Sequence, residues 1–125
     1  MARKNITAKD SVVVGPYSQA IDSNNLVFMS GQTPLDPKTG KLAEGGIKEQ
    51  TEQVFRNIYS VLEAAGLSFD DVQKVNVFLT SMDDFAAMND VYKTKFTQPY
   101  PARSTIGVAA LPLDARIEIE LIAKR

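Results

Sequence analysis

The sequence contains no cysteine and no histidine. Without cysteine there can be no disulfide, thiolate nucleophile or thiolate metal site. Without histidine the commonest metal ligand is missing, as is the usual general base near neutral pH, so no Ser-His-Asp set can form. A dominant charge is lacking too: 14 basic and 15 acidic side chains leave a net charge of -1. Proteins that neutralise phosphates carry a basic excess, so neither nucleic acid nor an anionic membrane surface is expected as a partner. No apolar run approaches the roughly 18 residues of a membrane span. The basic start, Met1-Ala-Arg-Lys-Asn5, leads into no apolar core, which predicts a cytoplasmic protein without a signal peptide. There is no Asp-rich loop with the spacing of a calcium or magnesium site. Gly45-Gly46 precedes a helical pattern but lacks the rest of a phosphate-cradling motif. These absences lead us to expect no metal and no cofactor, with a carboxylate-only magnesium or calcium site the one metal site left open.

What is present is the composition of a globular chain, 44% apolar and 23% charged over 125 residues. That is the size of one domain, 1–125. The patterning predicts about six strands and two helices. Lys4–Thr7 and Ser18–Asp22 read as short strands on either side of a turn at Val14-Gly-Pro-Tyr17. Leu26–Gln32 reads as a strand and Pro34–Gly40 as an ordered loop. From Ile47 to Ala65 the apolar residues Val54, Phe55, Ile58, Val61 and Leu62 recur at helical spacing, with Gly66 placed for a left-handed cap. Val72–Thr80 alternates as a strand. Ser81 and Asp84 then resemble a weak capping box before a helix lined by Phe85, Met88, Tyr92 and Phe96, ended by Pro99 and Pro101. Arg103–Leu111 and Ala115–Lys124 read as the last strands, joined at Pro112-Leu-Asp114.

Two helices can cover only one face of such a sheet, and an uncovered face should be polar. Yet Leu26, Phe28, Phe78 and Ile122 fall where that face should lie. A half-apolar outer face is a candidate interface between copies, although scattered surface hydrophobes are ordinary.

Five features could carry chemistry. Arg103, stiffened by Pro101 before it, could grip a carboxylate through two parallel bonds; the commoner role is a surface ion pair. Glu118 and Glu120 alternate with isoleucines and share one face. Left open they are solvated charges; covered by a neighbour, one could hold a water and act as acid or base. Ser30-Gly31 ends a buried strand, where Gly31 would let a ligand approach the backbone or simply make a turn. Tyr17 could orient a substrate or be a core aromatic with a wet tip. Asn89 lies beside the apolar stripe of the second helix, where a plain surface role is equally open.

These segments, in order, resemble the RidA/YjgF family, the reactive-intermediate deaminases. The most specific stretch runs from Pro101-Ala-Arg-Ser-Thr-Ile106 through Leu111-Pro112 to Ile117-Glu-Ile119. Gly15-Pro-Tyr-Ser-Gln19, Ser30-Gly-Gln32, Gln50-Thr-Glu-Gln53, Asn57 and Leu62-Glu-Ala-Ala-Gly66 add to it. The resemblance implies a chorismate-mutase-like α+β fold: a mixed sheet of about six strands with two helices on one face, assembled as a homotrimer with clefts between subunits. It implies hydrolysis of 2-aminoacrylate, its imine tautomer 2-iminopropanoate, and 2-iminobutanoate to 2-keto acids and ammonia. Such species leak from pyridoxal-phosphate dehydratases, a functional link that needs no contact. By position, Arg103 matches the carboxylate-binding arginine and Glu118 the glutamate that positions water. Tyr17, Ser30, Gly31 and Asn89 match cleft-lining positions. Thr105 stands where many members have cysteine, which argues against a thiol nucleophile here. Two other functions stay open: a regulatory trimer that binds 2-keto acids in the same cleft, and a ribonuclease or translation inhibitor, which the charge and the lack of histidine disfavour.

Overall fold

A computed structural model describes residues 2–9 and 13–125. Six strands form one sheet: β1 (Lys4–Ile6), β2 (Ala20–Ser23), β3 (Leu26–Gln32), β6 (Val72–Leu79), β7 (Ala102–Gly107) and β8 (Ile117–Lys124), in the order β1-β2-β3-β8-β6-β7. The β6–β7 pair is parallel and every other neighbour antiparallel, so the sheet is mixed. Parallel pairing requires a crossover, which runs through helix α2 (Phe85–Tyr92). Helix α1 (Ile47–Ala64) is the longer cover. This is the predicted arrangement of a six-stranded mixed sheet with two helices.

The core lies between sheet and helices. Val27, Val75, Val77, Leu79, Ile117 and Ile119 are fully buried, facing Val54, Phe55, Ile58, Val61 and Leu62 of α1. Phe55 stands edge-on to Phe69, Tyr92 and Phe96 at 5.9 Å each. The helix ends as its sequence predicts. Gly66 has φ +74°, its N–H bonds the Glu63 carbonyl, and Leu67 N–H reaches the Leu62 carbonyl. This satisfies the last carbonyls of the helix with a left-handed residue.

Besides shifts of one or two residues at strand and helix ends, four expectations differ from the structure. The stretch read as a loop, Pro34–Gly40, contains β4 (Leu35–Asp36), which pairs with β5 (Lys41–Leu42) in a small separate hairpin. Ser81 caps a 3-10 turn at Met82–Asp84 by accepting from Asp83 N–H. The expected reciprocal bond from Asp84 is not made, because its carboxylate takes two bonds from Arg116 at 2.7 and 3.2 Å. The helical pattern expected to reach Phe96 stops at Tyr92, although Phe96 is still buried in the core. Strand β7 ends at Gly107 rather than Leu111, since its partner β6 ends at Leu79.

Candidate active site

Register decides which of the candidate residues can meet. Across the sheet, Arg103 pairs with Val75, which pairs with Leu121 on its other side. Glu118 pairs with Phe78, which pairs with Ile106. Directly opposed residues project from the same face, and successive residues from opposite faces. Arg103 and Thr105 therefore project from the helix-covered face. Glu118 and Glu120 project from the open one, with Phe78, Ile106 and Ile122. Arg103 and Glu118 of one chain stand on opposite sides of its sheet.

The first half of the site is built on β7 and α2. Arg103 is half-buried, and its Nη1 donates to Asn89 Oδ1 at 2.7 Å. Its guanidinium carbon lies 4.5 Å from the centre of the Tyr92 ring and 5.5 Å from that of Phe85. A flat cation over ring faces is attracted by their negative quadrupole, and more so when partly desolvated. Thr105 follows on the same face, its hydroxyl buried without a hydrogen-bond partner. The Tyr92 hydroxyl is likewise buried and unpartnered; burial pushes its pKa up and the Arg103 charge opposes this.

The second half is built around a bulge in β3. Met29 pairs with Leu121 and Gln32 with Ile119, so Ser30 and Gly31 together oppose the single residue Glu120. Bulges of this kind re-aim side chains next to functional sites. Ser30 is held by its hydroxyl, which donates to the Ser18 carbonyl at 2.6 Å, and by its N–H to Gln19. Gly31 has the Glu118 carboxylate against it. A β-carbon added there would lie 2.6 Å from Glu118 Oε2. Tyr17 is half-exposed and shares a small hollow with Gly31, Gln19, Gln32 and Asn57. Burial, and then the neighbouring Glu120, hold the Glu118 carboxyl above its ordinary range. A group so shifted can exchange a proton at milder pH than a free carboxylate.

The seven candidate residues thus fall into two clusters: Arg103, Asn89 and Thr105 in one, Tyr17, Ser30, Gly31 and Glu118 in the other. A hollow of about 1000 Å³ lies elsewhere, between the β4–β5 hairpin and α1, and none of the seven lines it. Among the described residues no three acidic side chains converge as a metal-binding group, and no helix is long and apolar enough to cross a membrane. Sequence reasoning placed Phe85 and Tyr92 in the core and missed their contact with Arg103. Their spacing held the signal: Phe85, Asn89 and Tyr92 stand at i, i+4 and i+7, one stripe of one helix.

Residues 7–125 match the family model described as Endoribonuclease L-PSP, the family to which RidA and YjgF belong. The chain belongs to the RidA/YjgF family. A RutC family protein of Pyrococcus horikoshii is 54% identical over 88% of this chain and 87% of its own length. A 2-iminobutanoate/2-iminopropanoate deaminase of Dermatophagoides farinae is 48% identical over 87% of this chain and 85% of its own. The crystal structure of RidA from an Antarctic Psychrobacter superposes with a TM-score of 0.93 at 46% identity, covering 98% of this chain and 100% of that one. At that similarity the RidA/YjgF fold extends over almost the whole chain, as its most specific motifs imply.

Proposed function

We propose that this protein hydrolyses 2-imino acids and their enamine tautomers, 2-iminopropanoate, 2-aminoacrylate and 2-iminobutanoate, to 2-keto acids and ammonia, in clefts between the subunits of a homotrimer. One observation carries the reading: a cationic half-site and an acidic half-site project from opposite faces of each sheet. Arg103 of one copy can then complete the Glu118 cluster of the next. The half-apolar open face, with Phe28 and Ile106 each more than two-fifths exposed, supports a neighbouring chain over Glu118. Relatives named for this deaminase activity, at 44% to 48% identity, support the substrate class.

The chemistry asks little of the protein. An imine carbon is already electrophilic, so no covalent nucleophile is needed. Arg103 anchors the substrate carboxylate through its free N–H groups while Asn89 holds one of the others. Glu118 takes a proton from water as the water oxygen bonds to the imine carbon. Glu118 hands that proton to the nitrogen, the C–N bond breaks, and ammonia leaves as the added hydroxyl gives its proton back to Glu118 and becomes the keto-acid carbonyl. Tyr17, Ser30 and Gly31 shape the cleft, and Thr105 takes no covalent part. On this reading the protein works in the cytoplasm beside pyridoxal-phosphate dehydratases that release such species, without having to touch them. The description of the family model raises RNA cleavage as a second activity. A chain with net charge -1 and no histidine lacks the usual means to bind and cut RNA.

The test couples the protein to a serine or threonine dehydratase in amine-free buffer above neutral pH and follows keto-acid formation. Wild type should exceed the protein-free blank. Arg103→Ala should lose about one and a half to three and a half decades of kcat/KM, the cost of roughly 2–5 kcal/mol for a truncated charge contact. Mixing unfolded Arg103→Ala and Glu118→Gln chains and refolding them together should restore activity at about a quarter of the sites, since each site draws one residue from each of two copies. No recovery in a mixed trimer would place the two residues in one chain's site. Activity equal to the blank would leave a keto-acid-binding trimer, to be measured by titration.

A further inference from the structure

We propose that Tyr92 is a positioning residue for Arg103, acting through the face of its ring and not through its hydroxyl. The inference rests on the reading of Arg103 as the carboxylate anchor.

Three contacts fix the guanidinium: the Tyr92 ring at 4.5 Å, the Phe85 ring at 5.5 Å and Asn89 Oδ1 at 2.7 Å. All three come from one stripe of α2. A guanidinium has five N–H donors. Asn89 accepts from one, and among the described residues no other acceptor takes the rest. The rings receive the cation without using its donors, so its remaining edge is left for an anion. A salt bridge in place of the rings would occupy that edge and cancel the charge. A long flexible arginine held this way loses its conformational freedom before substrate arrives, which is how preorganisation raises affinity.

Tyr92 is suited to this more than Phe85. It is nearer the cation and only 4% exposed. Its ring also packs against Phe96 at 4.9 Å and Phe55 at 5.9 Å. The platform therefore belongs to the aromatic core. The hydroxyl makes no hydrogen bond. A buried hydroxyl without a partner costs stability, so it contributes nothing that the ring does not.

The experiment compares Tyr92→Phe, Tyr92→Leu and Arg103→Ala for imine hydrolysis and thermal unfolding. Tyr92→Phe should keep kcat and KM within twofold of wild type and unfold no earlier. Tyr92→Leu should lose about ten- to thirtyfold in kcat/KM, almost all as a rise in KM, because a mobile arginine weakens the hold on the carboxylate in ground and transition state alike. Equal kinetics for Tyr92→Leu and Tyr92→Phe, beside an impaired Arg103→Ala, would overturn the positioning role and leave Arg103 as the anchor. An Arg103→Ala enzyme as active as wild type would instead remove the anchor itself. Should Tyr92→Leu unfold, Tyr92→Met takes its place as a flexible side chain that refills the core without a ring: a rise in KM at unchanged kcat supports the ring platform, and an unchanged KM overturns it.

Discussion

The two faces of the sheet are built from the same strands and meet opposite fates. The covered face is closed by the chain's own helices. Valines and isoleucines of β6 and β8 lie there at zero exposure, and the charge it carries, Arg103, is received by two rings and an amide. The open face has no such cover. Glu118 and Glu120 stand there beside Phe28, Phe78, Ile106 and Ile122, and no cation of the same chain pairs with Glu118 among the described residues. A face closed from within admits a charge only where the fold supplies its partners. A face left open holds an acid with no cation beside it, and it is there that the proposed second copy would bring Arg103.

That contrast can be broken at its strongest point by Glu118→Gln. Removing the acid while keeping its shape should lower kcat by about two to four decades, the usual weight of a general base; stopped assays of keto-acid formation would read it. A variant as fast as wild type would make the open-face acid a bystander. Gly31→Ala is the next test. The added carbon would meet the carboxylate of Glu118 at its flexible end, so the fold should survive while the acid moves. A displacement near 1 Å predicts about a hundredfold loss in kcat, with an unchanged circular dichroism spectrum. The smallest effect is on stability and sharpens the contrast by its sign. The Glu118 pKa is raised in the fold by burial and by Glu120. Its contribution to stability is thus fully present below its ordinary value of 4.5 and is lost as pH rises through the raised value. Glu118→Gln should therefore unfold at a higher temperature than wild type at neutral pH, at equal protein concentration, with the gap closing on acidification toward pH 4.

How far the sequence carries depends on how local the cause is. The periodicity of α1 and the left-handed Gly66 are written within a few turns, and both stand in the structure. The alternation of β6 and β8 likewise gives their inner faces. The candidate residues could be named from motifs, and their division into two clusters could not. It follows from pairing Val75 with Arg103 and Phe78 with Glu118, residues 28 and 40 positions apart. The β4–β5 hairpin was hidden because two-residue strands show no alternation. Asp84 could be read as a cap because its true partner, Arg116, lies 32 residues on.

The bulge in β3 sets a rule for how this chain can change over time. Ser30 and Gly31 stand opposite one residue, so the facing of Gln32, the last residue of the strand, is counted from the extra step. Gln32 is buried on the covered face only because of it. Loss of one residue here would restore plain alternation and keep Gln32 opposite Ile119, but it would leave one residue where Ser30 and Gly31 now both face Glu120. Substitutions along β3 therefore change single side chains, whereas a deletion between Met29 and Gln32 would take away one of the two residues set against Glu120.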